Sequence, residues 1–330
     1  MPDLIAYLPI SPECWRSHCD NRPYTCTILL MDDTLISLLA DLPELYGVED
    51  LQGSHASHLS DVRFFRSTQS RPRQPLVYSP GLIVIVQGHK VVYLKGREFT
   101  YGRGSYLILG VPLPLECQTF ATQESPVLGV FIDLSAARIR RILGAMQDSQ
   151  DEGESCDHAC LGVEPAALDA SMKAVTARLL RCLRDATDAR VLGEAIVDEM
   201  IYRALQGPHG QPLRQLAAQQ SNFARVAKVL DYVHTHYAEP IAVESLARQS
   251  AMSTSSFFKT FSDVTGDSPL QYIKKIRLDK ALNLLLLDQR PVSDVAYQVG
   301  YESPSQFSRE FKRHFSVSPK AVRQDEAAWG

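Results

Sequence analysis

The sequence predicts an α+β chain of several domains, in which a small β-barrel or jelly roll with flanking helices precedes an all-α region. Three observations predict this fold class. The length of 330 residues is enough for two domains, at about 150 residues per domain. Short β-rich runs separated by glycines occupy the middle of the chain, and a helical unit occurs twice near its end. The composition, 45% hydrophobic and 22% charged, excludes a disordered or collagen-like chain.

Charge is unevenly distributed along the chain. The formal net charge is −4, which does not by itself indicate a nucleic-acid partner. Residues 221–323, however, contain 14 basic and 10 acidic residues, so the remainder of the chain is acidic. This asymmetry predicts that the C-terminal third has a role different from the rest.

The N-terminal residues contain neither a basic segment nor a continuous apolar one, so no signal peptide is predicted. The longest apolar runs, such as 82–86 and 284–287, are far shorter than the about 18–20 residues that a membrane span needs. Seven cysteines, an odd number, fit reduced thiols better than a disulfide framework. We therefore expect a cytoplasmic protein without membrane contact, whose residues 1–54 form an N-terminal extension with a short helix.

Residues 55–134 have the pattern of a small β-barrel. Two-residue breaks at Gly88-His89 and Lys95-Gly96 separate runs of β-forming residues and predict hairpins. The predicted strands are Leu82–Gln87, Lys90–Leu94, Arg97–Tyr101, Ser105–Leu109, Leu115–Ala121 and Val127–Asp133. Closely spaced short strands with such turns are typical of a barrel or jelly roll.

Residues 135–205 predict a helical segment. Leu168, Met172, Val175 and Leu179 alternate in spacings of four and three, as on one face of a helix that begins at Glu164-Pro165. Residues 188–205 predict a second helix. Two interpretations of the apolar seam stay open: it packs on its own barrel, or it forms a dimer seam with a second subunit. Residues 206–221, polar and containing glycine and proline, are predicted to be a linker.

The C-terminal part of the chain contains an internal repeat. Val243, Leu246 and Ala247 recur 49 residues later as Val292, Val295 and Ala296. After one inserted residue the offset is 50, and it relates Ser253, Phe257 and Phe261 to Ser303, Phe307 and Phe311. Each copy therefore predicts a short helix, a tight turn and an amphipathic second helix, with Ser253 or Ser303 as its N-cap.

This layout is a helix-turn-helix, whose second helix enters the DNA major groove with its N-terminal residues. The phenylalanines must face the core of each unit, so the polar side of the helix is exposed. The predicted base contacts are Thr254, Ser255, Phe258, Lys259, Ser305, Gln306 and Arg309. The predicted phosphate contacts, which also suit ion pairs within the domain, are Lys274, Lys275, Arg277, Lys312 and Arg313. Lys259 and Arg309 are equivalent positions of the repeat, which favours DNA binding over chance.

The segment between the two copies, Leu270–Leu287, predicts one long helix. If this helix holds the recognition helices about 34 Å apart, they reach successive major grooves on one face of DNA. A spacer that misses this distance would bend the DNA, and sequence-dependent bending would add specificity. Residues 222–323 therefore form the predicted DNA-binding domain, and residues 324–330 form a tail.

Residues 222–323 resemble the DNA-binding domain of the AraC/XylS family of transcriptional regulators. The resemblance rests on LARQSAMSTSSFFKTFSDVTGDSPLQYIKKIRL and VSDVAYQVGYESPSQFSREFKRHFSVSP, of which the second is highly specific to that family. Two positions depart from the family pattern. Ser316 stands where glycine is usual, and Phe258 stands where a polar residue is common.

The segment LVYSPGLIVIVQGHKVVYLKGREFTYGRGSYLILGVPLPLECQ is similar to the N-terminal half of one branch of these regulators. The shared elements are Q-G-x-K, Y-G-x-G-x-Y and L-P. The resemblance implies a cupin-like barrel that senses an effector or dimerises. A jelly roll can hold one small ligand, and the residues predicted to form a polar pocket lining are Arg63, Arg66, Gln87, Tyr93 and Tyr106.

A metal-dependent cupin enzyme is the alternative from a different class. Its metal site needs a His-x-His pair on one strand with a further Glu and His. The sequence offers His89 in a predicted turn, while His55 and His58 precede the predicted strands without a carboxylate at matching spacing. We therefore expect no enzyme activity, no cofactor and no metal.

Two groups of cysteines invite the hypothesis of a thiol or zinc sensor. One is Cys156, His158 and Cys160, and the other is Cys14, Cys19 and Cys26. No second Cys/His pair lies near the first group in sequence, so a mobile polar loop is the preferred interpretation.

The sequence predicts a sequence-specific transcriptional regulator that binds double-stranded DNA as a homodimer. Activation, with RNA polymerase as a partner, is implied by the family resemblance alone. Control by a small-molecule effector in the barrel is the main hypothesis. The alternative is a ligand-independent DNA binder whose barrel only dimerises.

Overall fold

The computed structural model describes residues 33–146, 161–218, 221–287 and 290–322. Within these ranges two antiparallel sheets form the N-terminal barrel. The strands are β1 Gly53–Ala56, β2 Val62–Ser67, β3 Arg71–Tyr78, β4 Gly81–Gln87, β5 His89–Leu94, β6 Arg97–Gly102, β7 Ser105–Leu109, β8 Leu113–Phe120, β9 Val127–Asp133 and β10 Val163–Ala167. One sheet has the order β1-β2-β9-β4-β7-β10 and the other the order β3-β8-β5-β6.

Helices cover the barrel and form the C-terminal domain. They are α1 (residues 33–40), α2 Leu42–Leu45, α3 Ala136–Ala145, α4 Ala170–Cys182, α5 Ala186–Gln206, α6 Gln211–Ala217, α7 Asn222–His236, α8 Val243–Gln249, α9 Thr254–Thr265, α10 Pro269–Leu287, α11 Val292–Gln298, α12 Pro304–Phe315 and α13 Pro319–Val322. The predicted order, a sheet-rich domain followed by an all-α domain, is confirmed. None of the helices in the described ranges combines the length and the apolar character that crossing a bilayer requires.

The strands predicted from Leu82 to Asp133 are all present, with bounds within two residues of the prediction. At the β5–β6 turn, Lys95 and Gly96 both have positive φ, 55° and 71°. A two-residue turn of this kind matches the twist of the flanking strands. His89, which the sequence places in a turn, instead begins β5, where its ring stacks on that of Phe120 at 4.5 Å.

The predicted start of the first long helix at Glu164-Pro165 is wrong. Both residues lie in β10, where Pro165 pairs with Leu107 of β7. β10 is an edge strand, and an edge strand tolerates proline because one side of it needs no backbone donor. Helix α4 begins at Ala170, and the Asp169 side chain caps it by accepting a hydrogen bond from the Met172 N–H at 2.7 Å.

The predicted apolar seam is buried inside its own domain. Leu168, Met172, Val175 and Leu179 belong to the same core as the barrel strands. Of the two interpretations left open, the structure shows packing on the barrel, so these four side chains are not available to a second subunit. The prediction that residues 206–221 form a linker is also wrong in part. Residues 211–217 form helix α6, which packs on α3, α7 and β7.

Contacts between side chains of the two sheets show which face of each sheet points into the barrel. The ring of Tyr78 on β3 stacks on that of Phe131 on β9, with centroids 6.4 Å apart. The ammonium of Lys90 on β5 lies 4.6 Å from the ring centroid of Phe65 on β2. These four side chains therefore point into the barrel, and their neighbours along each strand point outward because side chains alternate.

The hydrophobic core does not stop at the domain boundary. One cluster runs from the barrel strands through α4 and α5 to α7, α8, α9 and the first half of α10. A second cluster holds α11, α12, α13 and the second half of α10. The first helix-turn-helix unit thus packs with the barrel, while the second unit has a core of its own.

Tyr272 of α10 makes a buried polar contact between the two domains. Its hydroxyl donates to the Pro112 carbonyl at 3.0 Å, and His234 Nε2 lies 2.8 Å from the same oxygen. A hydroxyl has one proton to donate, so Nε2 must be the donor toward Tyr272. Burial lowers the pKa of His234 to about 4, with a further contribution from Lys280, so the imidazole is neutral at physiological pH.

The pH dependence of stability is expected to contain a contribution from His234. Between pH about 6.5 and about 4 the unfolded chain binds a proton that folded His234 does not. Folding stability should therefore fall as the pH is lowered through this range, by about 1.4 kcal/mol per pH unit for one histidine. His234→Gln keeps a hydrogen-bond donor toward Tyr272 but has no group that titrates in this range. The stability of this variant should therefore fall less steeply than that of the wild type as the pH is lowered.

Urea unfolding of both proteins from pH 7 to pH 4.5 measures this difference. His314, whose pKa burial also lowers to about 4, titrates in both proteins and cancels in the comparison. Parallel curves for the two proteins would show that His234 does not gain its proton on unfolding.

Candidate nucleic-acid interface

The two helix-turn-helix units have the same turn. In the first, the Met252 N–H donates to the Ala247 carbonyl at 3.2 Å, and in the second the Tyr301 N–H donates to the Ala296 carbonyl at 2.9 Å. Each turn contains one residue in the left-handed region, Ala251 with φ 51° and Gly300 with φ 89°. The repeat in the sequence is therefore a repeat of backbone conformation as well.

Both recognition helices, α9 and α12, begin and end alike. The Ser253 hydroxyl accepts from the Ser256 N–H and the Ser303 hydroxyl from the Gln306 N–H, each at 3.3 Å. Each helix ends at a residue with left-handed backbone, which is Gly266 after α9 and Ser316 after α12. Ser316 thus occupies the conformation for which glycine is the usual residue.

The apolar side of each recognition helix is fully buried. Phe257 and Phe261 lie with ring centroids 5.4 Å apart, and Phe307 and Phe311 lie 5.5 Å apart. Side chains four residues apart share one face of a helix. The opposite face of each helix is consequently directed to solvent.

The residues predicted to contact bases are all exposed. They are Thr254, Ser255, Phe258 and Lys259 on α9, and Ser305, Gln306 and Arg309 on α12. Phe258 keeps 38% of its surface accessible, although its ring contacts that of Phe257. An exposed aromatic ring at this position can contact the methyl group of thymine.

The residues predicted to contact phosphates fall into two groups. Lys312 and Arg313 are exposed. Lys274 and Lys275 are half-buried and paired within the domain, with Glu310 at 3.0 Å and Asp267 at 2.8 Å. The structure therefore places these two lysines in the intradomain pairs that were the alternative to phosphate contacts.

Arg277 also acts within the domain. Its guanidinium donates to three backbone carbonyls, those of Tyr237 at 2.7 Å, Gly300 at 2.8 Å and Glu239 at 2.9 Å. These bonds tie the turn of the second unit to the loop between α7 and α8. A Cβ at Gly300 would lie 2.5 Å from the Ala238 carbonyl oxygen, so the close approach requires glycine.

Glu310 organises the exposed face of α12. Its carboxylate accepts from Lys274, from Gln306 Nε2 at 3.2 Å and from the Tyr301 hydroxyl at 3.0 Å. Burial raises the pKa of Glu310, but these hydrogen bonds lower it by more, so the group is an anion at neutral pH. Glu310 was not among the predicted site residues, since its partners Lys274 and Tyr301 lie outside α12. The hydrogen bond to Glu310 thus fixes the position of the Gln306 side chain in the absence of DNA.

The residues predicted to line a barrel pocket do not share one face. Arg63 points into the barrel, where its guanidinium lies 4.5 Å from the Phe131 ring centroid and 3.1 Å from Asp133. Arg66 lies on the opposite face of β2 and donates to the Glu49 carbonyl at 2.9 Å. The strand alternation places these two arginines on different sides of the sheet.

The other three predicted lining residues also have partners outside the barrel. Tyr93 lies on the outer face of β5 under the guanidinium of Arg73, at 3.9 Å. Tyr106 pairs with Val84 on the helix-covered face, and burial raises its pKa to about 12. Gln87 reaches Ser125 at 3.5 Å. Of the five residues predicted to line a pocket, Arg63 thus points into the barrel, and Lys90, which was not predicted, points inward as well.

The predicted cysteine sensors lie outside the described residues, since 1–32 and 147–160 are not among them. In the described ranges, Cys117 and Cys182 are buried free thiols. The two histidines that were weighed for a metal site contact aromatic rings. The ring centroid of His58 lies 4.6 Å from that of Tyr46, and the ring centroid of His55 lies 5.5 Å from that of Phe64. Across the same ranges, no three His, Cys, Asp or Glu side chains are grouped so that they could hold a metal ion.

Two family models match the chain. Residues 58–212 match the model of the AraC-type transcriptional regulator N-terminus, and residues 246–325 match the model of a helix-turn-helix domain. The first match covers strands β2 to β10 and helices α3 to α5, and the second covers both recognition helices.

Curated relatives are similar to part of the chain. HTH-type transcriptional regulator AlkR of Acinetobacter baylyi is 39% identical over 99 residues, which are 30% of this chain and 32% of AlkR. HTH-type transcriptional activator RhaR of Pectobacterium atrosepticum is 30% identical over 171 residues, which are 52% of this chain and 58% of RhaR. The chain thus spans less than two thirds of the length of these relatives.

A solved structure matches most of the fold. Apo ToxT from Vibrio cholerae, in a single-substitution form, has a TM-score of 0.54 and covers 83% of this chain and 99% of its own. The sequence identity is 11%, so this likeness concerns the fold alone.

The two equivalent turn positions make a matched pair for mutagenesis. Gly300→Ala places a Cβ against the Ala238 carbonyl at a left-handed residue and should lower stability by about 1–3 kcal/mol. Ala251→Gly relieves a left-handed alanine without adding a contact, so it should not lower stability. Chemical unfolding of both variants measures the effect. Equal destabilisation by the two changes would contradict the close approach at Gly300.

Proposed function

The chain is an AraC-type transcriptional regulator, and from this premise we propose that it binds double-stranded DNA sequence-specifically through α9 and α12. One observation carries the proposal. Both recognition helices bury their phenylalanines and present exposed N-terminal halves, with Lys259 and Arg309 at equivalent positions. Major-groove recognition uses this arrangement, in which the first turns of a helix reach base edges.

The spacing between the two units supports binding to one face of DNA. Helix α10, with 19 residues, joins them and spans about 28 Å at 1.5 Å per residue. Successive major grooves are about 34 Å apart. We propose that the units occupy adjacent grooves and that the DNA bends to accommodate the shorter spacer, which adds specificity through sequence-dependent bending.

We assign different roles to the exposed side chains. Lys259 and Arg309 are proposed to donate to guanine, and Gln306 to contact adenine, with the hydroxyls of Thr254, Ser255 and Ser305 beside them. Phe258 is proposed to contact thymine methyl groups. Lys312 and Arg313 are proposed to contact phosphates, because they are exposed.

Arg309→Ala should weaken binding to the preferred site by about 1–3 kcal/mol and relax the preference at one base pair. The measurement is fluorescence anisotropy on duplexes selected from a random pool with the wild-type chain, at two salt concentrations. Arg140→Ala is the matched control, since Arg140 is an exposed arginine on α3. An unchanged site preference for Arg309→Ala would remove this residue from the base contacts.

The contacts between the domains support control of DNA binding by the barrel. Besides the Tyr272 hydroxyl, the Gly162 N–H donates to the Val264 carbonyl of α9 at 3.2 Å, and Lys95 Nζ lies 3.7 Å from Asp263. We propose that a small-molecule effector in the barrel shifts these contacts and so changes the position of α9. An effector acts in this way only if it binds one arrangement more tightly than the other.

We further propose that the protein acts as a homodimeric activator with RNA polymerase as its partner. RhaR, which matches about half of this chain, is named a transcriptional activator. Since the predicted seam on α4 is buried, the proposed dimer surface is the outer side of α5. Val191 and Leu192 are 69% and 50% exposed there, and exposed apolar patches mark interaction sites.

The double substitution Val191→Asp and Leu192→Asp should convert a dimer to a monomer, because it places two charges in an apolar contact. Leu45→Asp is the control, since Leu45 is 51% exposed but lies at the end of α2. Light scattering after gel filtration measures the mass. A dimer that survives the double substitution would exclude this side of α5 as the interface.

A further inference from the structure

Gln306 lies on the exposed face of α12, in the part of the helix that is proposed to enter the major groove. Together with Arg309, Glu310 and Arg313 it lines a shallow groove on this face. Gln306 is the third residue of α12, and the first turns of a recognition helix are the part that reaches base edges. The orientation of its side-chain amide therefore bears directly on the base that it can contact.

One end of this amide is engaged by Glu310, which lies one turn further along the same helix. Gln306 Nε2 donates to Glu310 Oε1 at 3.2 Å, and residues four apart are neighbours on a helix surface. If the amide were turned over, Gln306 Oε1 would lie against a carboxylate oxygen, and neither atom can donate a hydrogen bond. A negatively charged acceptor at this place thus selects one of the two orientations of the amide.

The carboxylate of Glu310 is itself held by residues outside α12. Lys274 Nζ of α10 donates to Oε1 at 3.0 Å, and the Tyr301 hydroxyl, in the turn before α12, donates to Oε2 at 3.0 Å. Burial raises the pKa of Tyr301, so this hydroxyl keeps its proton. Both carboxylate oxygens therefore have partners from different elements. The Glu310 side chain is only 13% exposed, and hydrogen bonds to an ionised group are stronger where water is largely excluded.

The first helix-turn-helix unit does not share this pair. The repeat offset of 50 places Ser256 at the position of Gln306 and Thr260 at the position of Glu310. Neither residue has an amide or a carboxylate, although the turn and the cap are the same in both units. The pair is therefore not required by the helix-turn-helix geometry, which points to a role in recognition by the second unit.

We propose that Glu310 is a specificity-determining residue, which holds the Gln306 amide in the orientation that accepts adenine and rejects guanine. This inference rests on the proposed contact of Gln306 with a base in the major groove. Glu310 acts through Gln306 and is therefore a positioning residue, which need not touch DNA itself.

The major-groove edges of the two purines explain this choice. Adenine offers a donor at N6 beside an acceptor at N7, whereas guanine offers acceptors at both O6 and N7. The free edge of the Gln306 amide carries Oε1 beside the second proton of Nε2, and this pattern is complementary to adenine. The same edge would place Oε1 against guanine O6. An unrestrained glutamine avoids that repulsion by turning its amide over, and the bond to Glu310 opposes this rotation.

The test measures the affinity of the full chain for duplexes that differ at one base pair, by fluorescence anisotropy. The parent duplex is selected from a random pool with the wild-type chain, and Gln306→Ala identifies the base pair whose preference depends on Gln306. At that pair the wild type should bind adenine about tenfold more tightly than guanine. Glu310→Ala should lower this ratio to about threefold or less, because the amide can then turn over, and should leave the preference at the Arg309 base pair unchanged.

A second variant tests the orientation of the amide without a change of side-chain size. In Glu310→Gln the introduced amide donates as well as accepts, so it supports both orientations of Gln306. The adenine-to-guanine ratio should therefore fall in this variant too. The melting temperature of both Glu310 variants is measured beside the affinity, so that a ratio is compared only between folded proteins.

Two control variants separate this effect from general loosening of the domain. Asp267→Asn breaks the ion pair with Lys275 of α10, as Glu310→Ala breaks the pair with Lys274, but it leaves the bond between Glu310 and Gln306 in place. Thr260→Ala changes the equivalent position of α9. Both controls should keep the adenine-to-guanine ratio of the wild type at the Gln306 base pair.

Three results would overturn the proposal: no adenine preference that is lost in Gln306→Ala, a ratio within twofold of wild type in both Glu310 variants, or a loss of preference spread equally over all base pairs. The last result is what a purely structural role of Glu310 would produce. DNA binding itself is judged on the wild type and on Arg309→Ala. Intact sequence-specific binding with an unchanged ratio would refute the role of Glu310 and leave the DNA-binding function standing.

Discussion

A pair of phenylalanines four residues apart holds each recognition helix, and the proposed DNA surface depends on their burial. Phe257 and Phe261 in α9, and Phe307 and Phe311 in α12, are removed from solvent completely. Because residues at this spacing share one face, burying the rings turns the opposite face outward. The exposed positions of Lys259 and Arg309 are therefore a consequence of apolar packing beneath them.

The two helix-turn-helix units have the same local structure but different surroundings. The first shares a core with the barrel, and the second packs on the distal half of α10 in a separate cluster. A change in the barrel can reach the first unit through this shared core, whereas it reaches the second through α10 and through the contact of α12 with β3. This asymmetry gives the N-terminal domain a physical route to one half of the DNA-binding surface.

The barrel interior shows how strand alternation selects the residues that are available to a ligand. Tyr93 and Lys90 lie three positions apart on one strand, so they point to opposite faces. The tyrosine packs under Arg73 outside the barrel, while the lysine faces Phe65 inside it. Polar character alone does not distinguish these positions, since the distinction depends on which sheet face is closed by the partner sheet.

The sequence by itself determined the features that arise from contacts between near neighbours. The repeat, the two turns, the serine caps and the strands from Leu82 to Asp133 follow from side-chain periodicity and from hydrogen bonds that span a few residues. These interactions require no knowledge of the rest of the fold.

Only the tertiary structure decided how residues far apart in the chain are paired. It placed Glu164-Pro165 in an edge strand opposite Leu107, buried the α4 seam in its own domain, and engaged Arg277 with three carbonyls from two separate loops. The physical reason is that such contacts join segments whose local patterns are compatible with several partners. The choice among those partners is made by the packing of the whole chain.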